Sequence, residues 1–93
     1  MTRAVRLSDA ANRDLARLAA FLQPDSPAAA VRARAALEIA LNSLAEFPDR
    51  GREGRGGLRE LKAAFGRDGY VIRYSVGPHI VLVTRIFHAR ERR

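Results

Sequence analysis

The chain contains no cysteine and no tryptophan, one methionine, two histidines and one lysine, Lys62, among 93 residues. Without cysteine there are no disulfides, zinc–thiolate centres or thiol nucleophiles. Two histidines alone are a poor basis for a metal site, so neither metal nor cofactor is expected. No apolar run approaches the ~20 residues a membrane helix needs, and no signal-peptide core opens the sequence. The expectation is a cytoplasmic protein with no membrane contact. The glycine-rich stretch GREGRGG lacks the lysine–serine pair and preceding strand of a phosphate-binding loop. No repeat or composition shift marks a second domain, so residues 1–93 read as one domain with one core.

What the sequence has in excess is arginine. Lys+Arg total 17 against 10 Asp+Glu, a net charge of +7. A GC-rich coding sequence explains arginine in place of lysine, but not the surplus of positive charge. The surplus points to an anionic partner, either nucleic acid or an acidic protein segment.

Hydrophobic periodicity gives the order of elements. Val5 and Leu7 alternate with Arg6 in a short first strand from Arg3 to Leu7. Ser8 supplies an N-cap oxygen, and Ala11, Leu15, Leu18 and Leu22 form one stripe of a helix from Asp9 to Leu22. Pro24 ends it. Ser26 caps a second helix that has Pro27 in its first turn and runs to about Phe47. Its stripe is Ala30, Leu37, Leu41 and Leu44, with Val31 and Phe47 at the ends, and Pro48 terminates it. The short link predicts an antiparallel helix pair. A basic, glycine-rich loop spans residues 48–57. Leu58–Phe65 is read as a strand, Arg67–Gly69 as a turn, and Tyr70–Val76 and Ile80–Phe87 as two strands joined at Gly77–His79.

The fold class is therefore α+β, in the order β-α-α-β-β-β, with an antiparallel sheet packed against a helical hairpin. If Val76 pairs with Ile80, Arg73 faces Val83 and lies diagonal to Arg85 on one sheet face. Tyr70, Ile72, Tyr74, Leu82 and Ile86 lie on the other face, beneath the helices. The candidate functional set is Arg59, Arg73, Arg85 and Arg90, with His88 between the last two. Guanidinium forks suit phosphates and carboxylates, and a histidine among them suits general acid–base chemistry on RNA. The alternative is a solvated basic face. His79 reads as an exposed loop residue, and the leucine stripes read as core.

Three segments in order carry a resemblance. They are L-x-x-x-P-x-x-G at Leu44–Gly51, the LREL run at Leu58–Leu61 followed by Tyr70, Arg73 and Tyr74, and H-A-R at His88–Arg90. Together they resemble the RelE/ParE superfamily of type II toxin–antitoxin toxins over nearly the whole chain. The resemblance implies the fold just derived and a ParD-like antitoxin partner in a hetero-oligomer. The antitoxin would lie on the helices and sheet around Leu15, Leu18, Leu22, Arg73 and Arg85.

The RelE branch cuts messenger RNA on the ribosome, whereas the ParE branch poisons DNA gyrase. RelE-type enzymes carry an arginine after the Gly-Tyr that opens the third strand, and here that position is Val71. Of their paired lysines only Lys62 is matched, the second position being Ala64. A tyrosine beyond the arginine matched by Arg90 has no counterpart before Arg93. The resemblance therefore implies a ParE-like gyrase inhibitor that catalyses nothing and uses Arg59, Arg73, Arg85, His88 and Arg90 to bind its target. Two alternatives stand beside it. One is a ribosome-dependent endoribonuclease using His88, Arg90, Arg85 and Lys62. The other is a non-catalytic nucleic-acid-binding module.

Overall fold

A computed structural model describes residues 2–22, 26–65 and 69–91. Strand β1 (Ala4–Leu7) leads into helices α1 (Asp9–Leu22) and α2 (Pro27–Glu46), and then β2 (Arg52–Glu53), β3 (Arg59–Ala63), β4 (Tyr70–Val76) and β5 (Ile80–His88). The five strands form one sheet in the order β1-β5-β4-β3-β2. β1 runs parallel to β5, and the remaining pairs are antiparallel. This is the expected β-α-α-β-β-β order, with the two-residue β2 added from the glycine-rich loop. β3 is shorter at both ends than the Leu58–Phe65 read from sequence. Among the described residues, no helix is long and apolar enough to cross a membrane.

Capping fixes where the helices start. Ser8 Oγ accepts the Ala11 amide at 3.1 Å and donates to the Thr84 carbonyl at 2.9 Å, which ties the start of α1 to β5. Ser26, extended at φ −158°, ψ 98°, accepts the Ala29 amide, and Pro27 occupies the first turn, where its missing N–H costs nothing. The buried stripe of α2 is Ala33, Leu37, Ala40, Leu41 and Leu44. Val31 and Phe47, expected at the ends of that stripe, are instead 70% and 61% exposed. At about 100° per residue Val31 lies some 120° around the helix from Leu37, and Phe47 falls just beyond the last helical residue. On α1, Ala11 and Leu18 are buried and Leu15 packs partly against the core. The Leu22 side chain, Pro24 and the turn at Arg67–Asp68 lie outside the described residues.

The core sits between the helices and one face of the sheet. Leu44, Ile72, Val81, Val83 and Ile86 are fully out of water, and each contributes about 1.5–3 kcal/mol of transfer free energy. The L-x-x-x-P-x-x-G segment acts through Tyr74, which is completely buried. Its hydroxyl donates to the Pro48 carbonyl at 2.7 Å and accepts the Gly51 amide at 2.8 Å. A Cβ at Gly51 would stand 2.5 Å from that hydroxyl and 2.9 Å from the Glu60 carbonyl oxygen, so only glycine fits.

The β4–β5 register departs from the sequence expectation. Val76 pairs with Val81 and Tyr74 with Val83, but Arg73 pairs with Arg85. Thr84 is thus an extra residue, a β-bulge, and its hydroxyl donates to the Arg73 carbonyl at 3.2 Å. Strict alternation put Leu82 and Ile86 on one face. The inserted residue switches the parity, so Val81, Val83 and Ile86 all face the core and Leu82 is exposed. Arg73 lies directly opposite Arg85 rather than opposite Val83 and diagonal to Arg85.

Candidate target-binding face

Alternation about the core residues Leu61, Ile72, Tyr74 and Ile86 places Glu60, Lys62, Val71, Arg73, Arg85 and Phe87 on the face the helices leave open. Val71 and Phe87 are nevertheless buried. The guanidinium carbons of Arg73 and Arg85 lie 5.1 Å and 4.9 Å from the centre of the Phe87 ring. Two arginines therefore share one aromatic platform, within the range of cation–π attraction, and their stems shield the ring from water.

Each arginine is also held by a carboxylate. Arg73 donates through Nε and Nη2 to Glu60 Oε2, at 3.0 and 2.8 Å, across the β3–β4 pair. Arg85 donates through Nε to Asp14 Oδ2 at 2.9 Å and through Nη2 to Asp14 Oδ1 at 3.1 Å, the two-pronged geometry that fixes a guanidinium plane. Glu60, Arg73 and Arg85 are cross-strand partners in one row, and Asp14 of α1 stands at the end of it.

Asp14 is there because β1 is too short. β1 covers β5 only from Ile80 to Val83, so from Thr84 onward that edge of β5 has no neighbouring strand among the described residues. α1 takes the place of one. Ser8 Oγ reaches the Thr84 carbonyl, and Asp14 Oδ2 accepts the Ile86 amide at 2.8 Å. Buried edge groups must find partners, and here side chains of a helix supply them. Asp14 is 3% exposed. Burial by itself would raise its pKa, but hydrogen bonds from Arg85, the Ile86 amide and Arg17 outweigh it and hold the carboxyl below its ordinary value. Arg17 links onward to Glu91 at 2.7 Å.

The other residues singled out from sequence scatter. Lys62 is exposed on the open face, paired with Val71. Arg59 is a brace: its Nη1 donates to the carbonyls of Gly51 at 2.7 Å and Asp49 at 3.3 Å, and it pairs with Glu53. His88 shares the parity of Ile86 and so faces the helix side, its ring edge-on to Tyr70 at 5.6 Å. Its Nδ1 accepts the Arg90 amide at 3.1 Å and its own amide donates to Glu91. Arg90 is exposed in the turn after β5. The fold thus brings Arg73 and Arg85 together, with Lys62 on the same face, and sets His88 on the opposite one. Leu15 and Leu18 line a crevice of only about 20 Å³ between the helices, while Val31 and Ile39, elsewhere on α2, are exposed. Among the described residues no group of His, Asp and Glu could hold a metal ion.

Sequence reading missed Asp14, Glu60 and Phe87. Asp14 had a signal: it lies three residues after Ala11 and four before Leu18, an acid on an otherwise apolar stripe.

Residues 5–93 match the sequence model of the family described as the ParE toxin of the type II toxin–antitoxin system parDE. Two curated relatives from Caulobacter vibrioides are similar over essentially their full length. Toxin RelE1 is 45% identical over 93 residues, all of both chains, and Toxin RelE3 is 40% identical over 91 residues, 98% of this chain and 99% of the relative. Among solved structures, a chromosomal ParDE system from P. aeruginosa superposes with a TM-score of 0.81 at 17% identity, covering 96% of this chain and 98% of that one. The toxin–antitoxin complex RelBE2 from Mycobacterium tuberculosis gives 0.64 at 24% identity, covering 95% and 99%.

Proposed function

The chain belongs to the ParE toxin family of type II toxin–antitoxin systems, and within that family we propose that it acts in the cytoplasm by binding DNA gyrase, catalyses no reaction itself, and is neutralised by a cognate antitoxin. The observation that carries the gyrase reading is the separation of His88 from the arginine pair. RNA cleavage needs an acid and a base positioned about one phosphate. His88 lies across the sheet from Arg73 and Arg85, with Nδ1 engaged by a backbone amide. Both arginines are stacked on Phe87 and matched by carboxylates, an arrangement suited to docking on a surface. The antitoxin reading is supported by solved neighbours that are themselves toxin–antitoxin systems. It is also supported by the exposed apolar side chains Val31 and Ile39, which suit a partner laid along α2.

One observation favours a second reading, a RelE-like ribonuclease: the curated relatives at 45% and 40% identity are named RelE toxins. Supercoiling by purified gyrase with the purified chain added discriminates between them. Inhibition that a neutralising antitoxin reverses is the expected result. Unimpeded supercoiling, with mRNA cut on added ribosomes, overturns the proposal.

A further inference from the structure

The row of charged residues on the open face extends beyond Glu60, Arg73 and Arg85 to one strand more. Arg52 of β2 is the cross-strand partner of Glu60, which is the partner of Arg73, which is the partner of Arg85. Arg52 therefore stands on the same face, two strands from Arg73 and about 10 Å away at the usual strand spacing. Beyond β2 the chain turns at Arg55–Gly57, and Glu53, Gly54, Arg55, Leu58, Glu60 and Arg73 join Arg52 around an open groove of about 450 Å³.

The arginines in this groove are not equivalent. Arg73 is held by Glu60, and Glu53 is engaged by Arg59. Arg52 and Arg55 are exposed, and their side chains make no hydrogen bond or ion pair with another described residue. Part of the surplus charge of the chain is thus carried to one rim, where Glu53 and Glu60 are already engaged by Arg59 and Arg73. The turn itself is held open by its glycines. Gly56 and Gly57 sit at φ 65° and 76°, where side chains are disfavoured, with no atom within 4 Å of where a Cβ would stand. Exposed glycine backbone lies beside two guanidinium forks that pair with no other described side chain. That combination suits phosphate, which is bound by arginine and by main-chain amides together. An acidic peptide would need an apolar anchor as well, and the groove offers only the half-buried Leu58. The exposed apolar side chains Val31 and Ile39 are on α2.

We propose that the Arg52–Gly57 turn is a binding site for the phosphodiester backbone of nucleic acid, with Arg52 and Arg55 as its phosphate contacts. The site reads no sequence, because arginine–phosphate contacts position a duplex without touching base edges. For a toxin acting on gyrase, the ligand is the DNA that the enzyme holds. For a toxin acting on the ribosome, it is RNA. The site does not depend on which of these is the target, and its test contains neither.

The test is fluorescence anisotropy of the full chain with a labelled DNA duplex, and separately with a labelled single-stranded RNA, across about 50 to 200 mM salt. The expected result is binding with Kd in the range of about 10⁻⁶ to 10⁻⁴ M and a logarithm of affinity that falls linearly with log salt. Arg52→Ala/Arg55→Ala should reduce the duplex slope by roughly 1.8, at about 0.9 for each lost phosphate contact. Arg52→Lys/Arg55→Lys should restore it. Arg13→Ala/Arg32→Ala, which removes equal charge from exposed helical positions, should leave it unchanged. Stronger binding of the duplex assigns the site to DNA, and stronger binding of the RNA assigns it to message. Either supports the proposal. No binding by the unaltered chain overturns it. So does an equal loss in the two alanine pairs, which would make the effect one of net charge, or capture of an acidic peptide in place of both nucleic acids.

Discussion

Asp14 offers the sharpest test of how the open face is built. Replacing it with alanine removes the acceptor for the Ile86 amide, a buried backbone group on an edge that β1 leaves uncovered. An orphaned buried donor costs about 1–3 kcal/mol. The same change takes a partner from Arg85 and from Arg17, which keeps Glu91, but their side chains are 45% and 46% exposed, and water takes over most of what the pairs supplied. The expected destabilisation is therefore about 1–3 kcal/mol and comes mainly from the amide. In a domain of this size each kcal/mol lowers the melting temperature by about 4–8 °C. Asp14→Asn keeps an oxygen for Ile86 and should lose less. It should also change the acid limb. The Asp14 carboxyl is held below its ordinary value of 3.8 when folded. Its contribution is therefore complete above that value and is lost as pH falls through the lower, folded-state pKa. The unaltered protein should lose stability below about pH 4 more steeply than Asp14→Asn. Urea denaturation followed by circular dichroism between pH 2 and 7 measures both effects. An Asp14→Ala protein as stable as the original, or identical acid limbs in the original and Asp14→Asn, would mean that the Asp14 carboxylate does not hold the β5 edge.

Two further changes separate packing from recognition. Tyr74→Phe removes a hydroxyl that both donates to Pro48 and accepts from Gly51 in a fully buried site, and should cost about 1–3 kcal/mol in thermal denaturation. Ile39→Glu alters a side chain that is 72% exposed. It should change stability by no more than about 0.5 kcal/mol, yet weaken antitoxin binding at least tenfold in calorimetry.

The parts of this fold that were legible in the sequence are those fixed by local chemistry. Ser8, Ser26, Pro27 and Pro48 set helix ends through groups a few residues away, and the Tyr70–Ile72–Tyr74 alternation marks the covered face of β4 directly. The parts that were not legible depend on partners distant in the chain. The bulge at Thr84 carries no glycine or proline to announce it, yet it reverses the alternation of β5, so that Val81 and Val83 before it face the core together with Ile86 after it, and it sets Arg73 opposite Arg85. The parallel pairing of β1 with β5, and the truncation that calls for Asp14, are properties of the assembled sheet. Arg59 and Arg73 look alike in sequence. One braces the Asp49–Glu53 turn, and the other lies on the open face, because Arg59 has the parity of Leu61 and Arg73 does not. One segment that carries the family resemblance is structural here: Pro48 and Gly51 hold the Tyr74 hydroxyl, and Leu44 is part of the core.

Gyrase poisoning is tested by induced expression of this chain alone in bacteria, alongside His88→Ala, with chromosomal breaks and transcript ends both followed. Gyrase poisoning predicts arrested growth, double-strand breaks and intact transcripts for both proteins, since His88 faces away from the arginine pair. Arrest with cleaved transcripts and intact DNA, abolished by His88→Ala, would contradict the account and make the chain a ribonuclease.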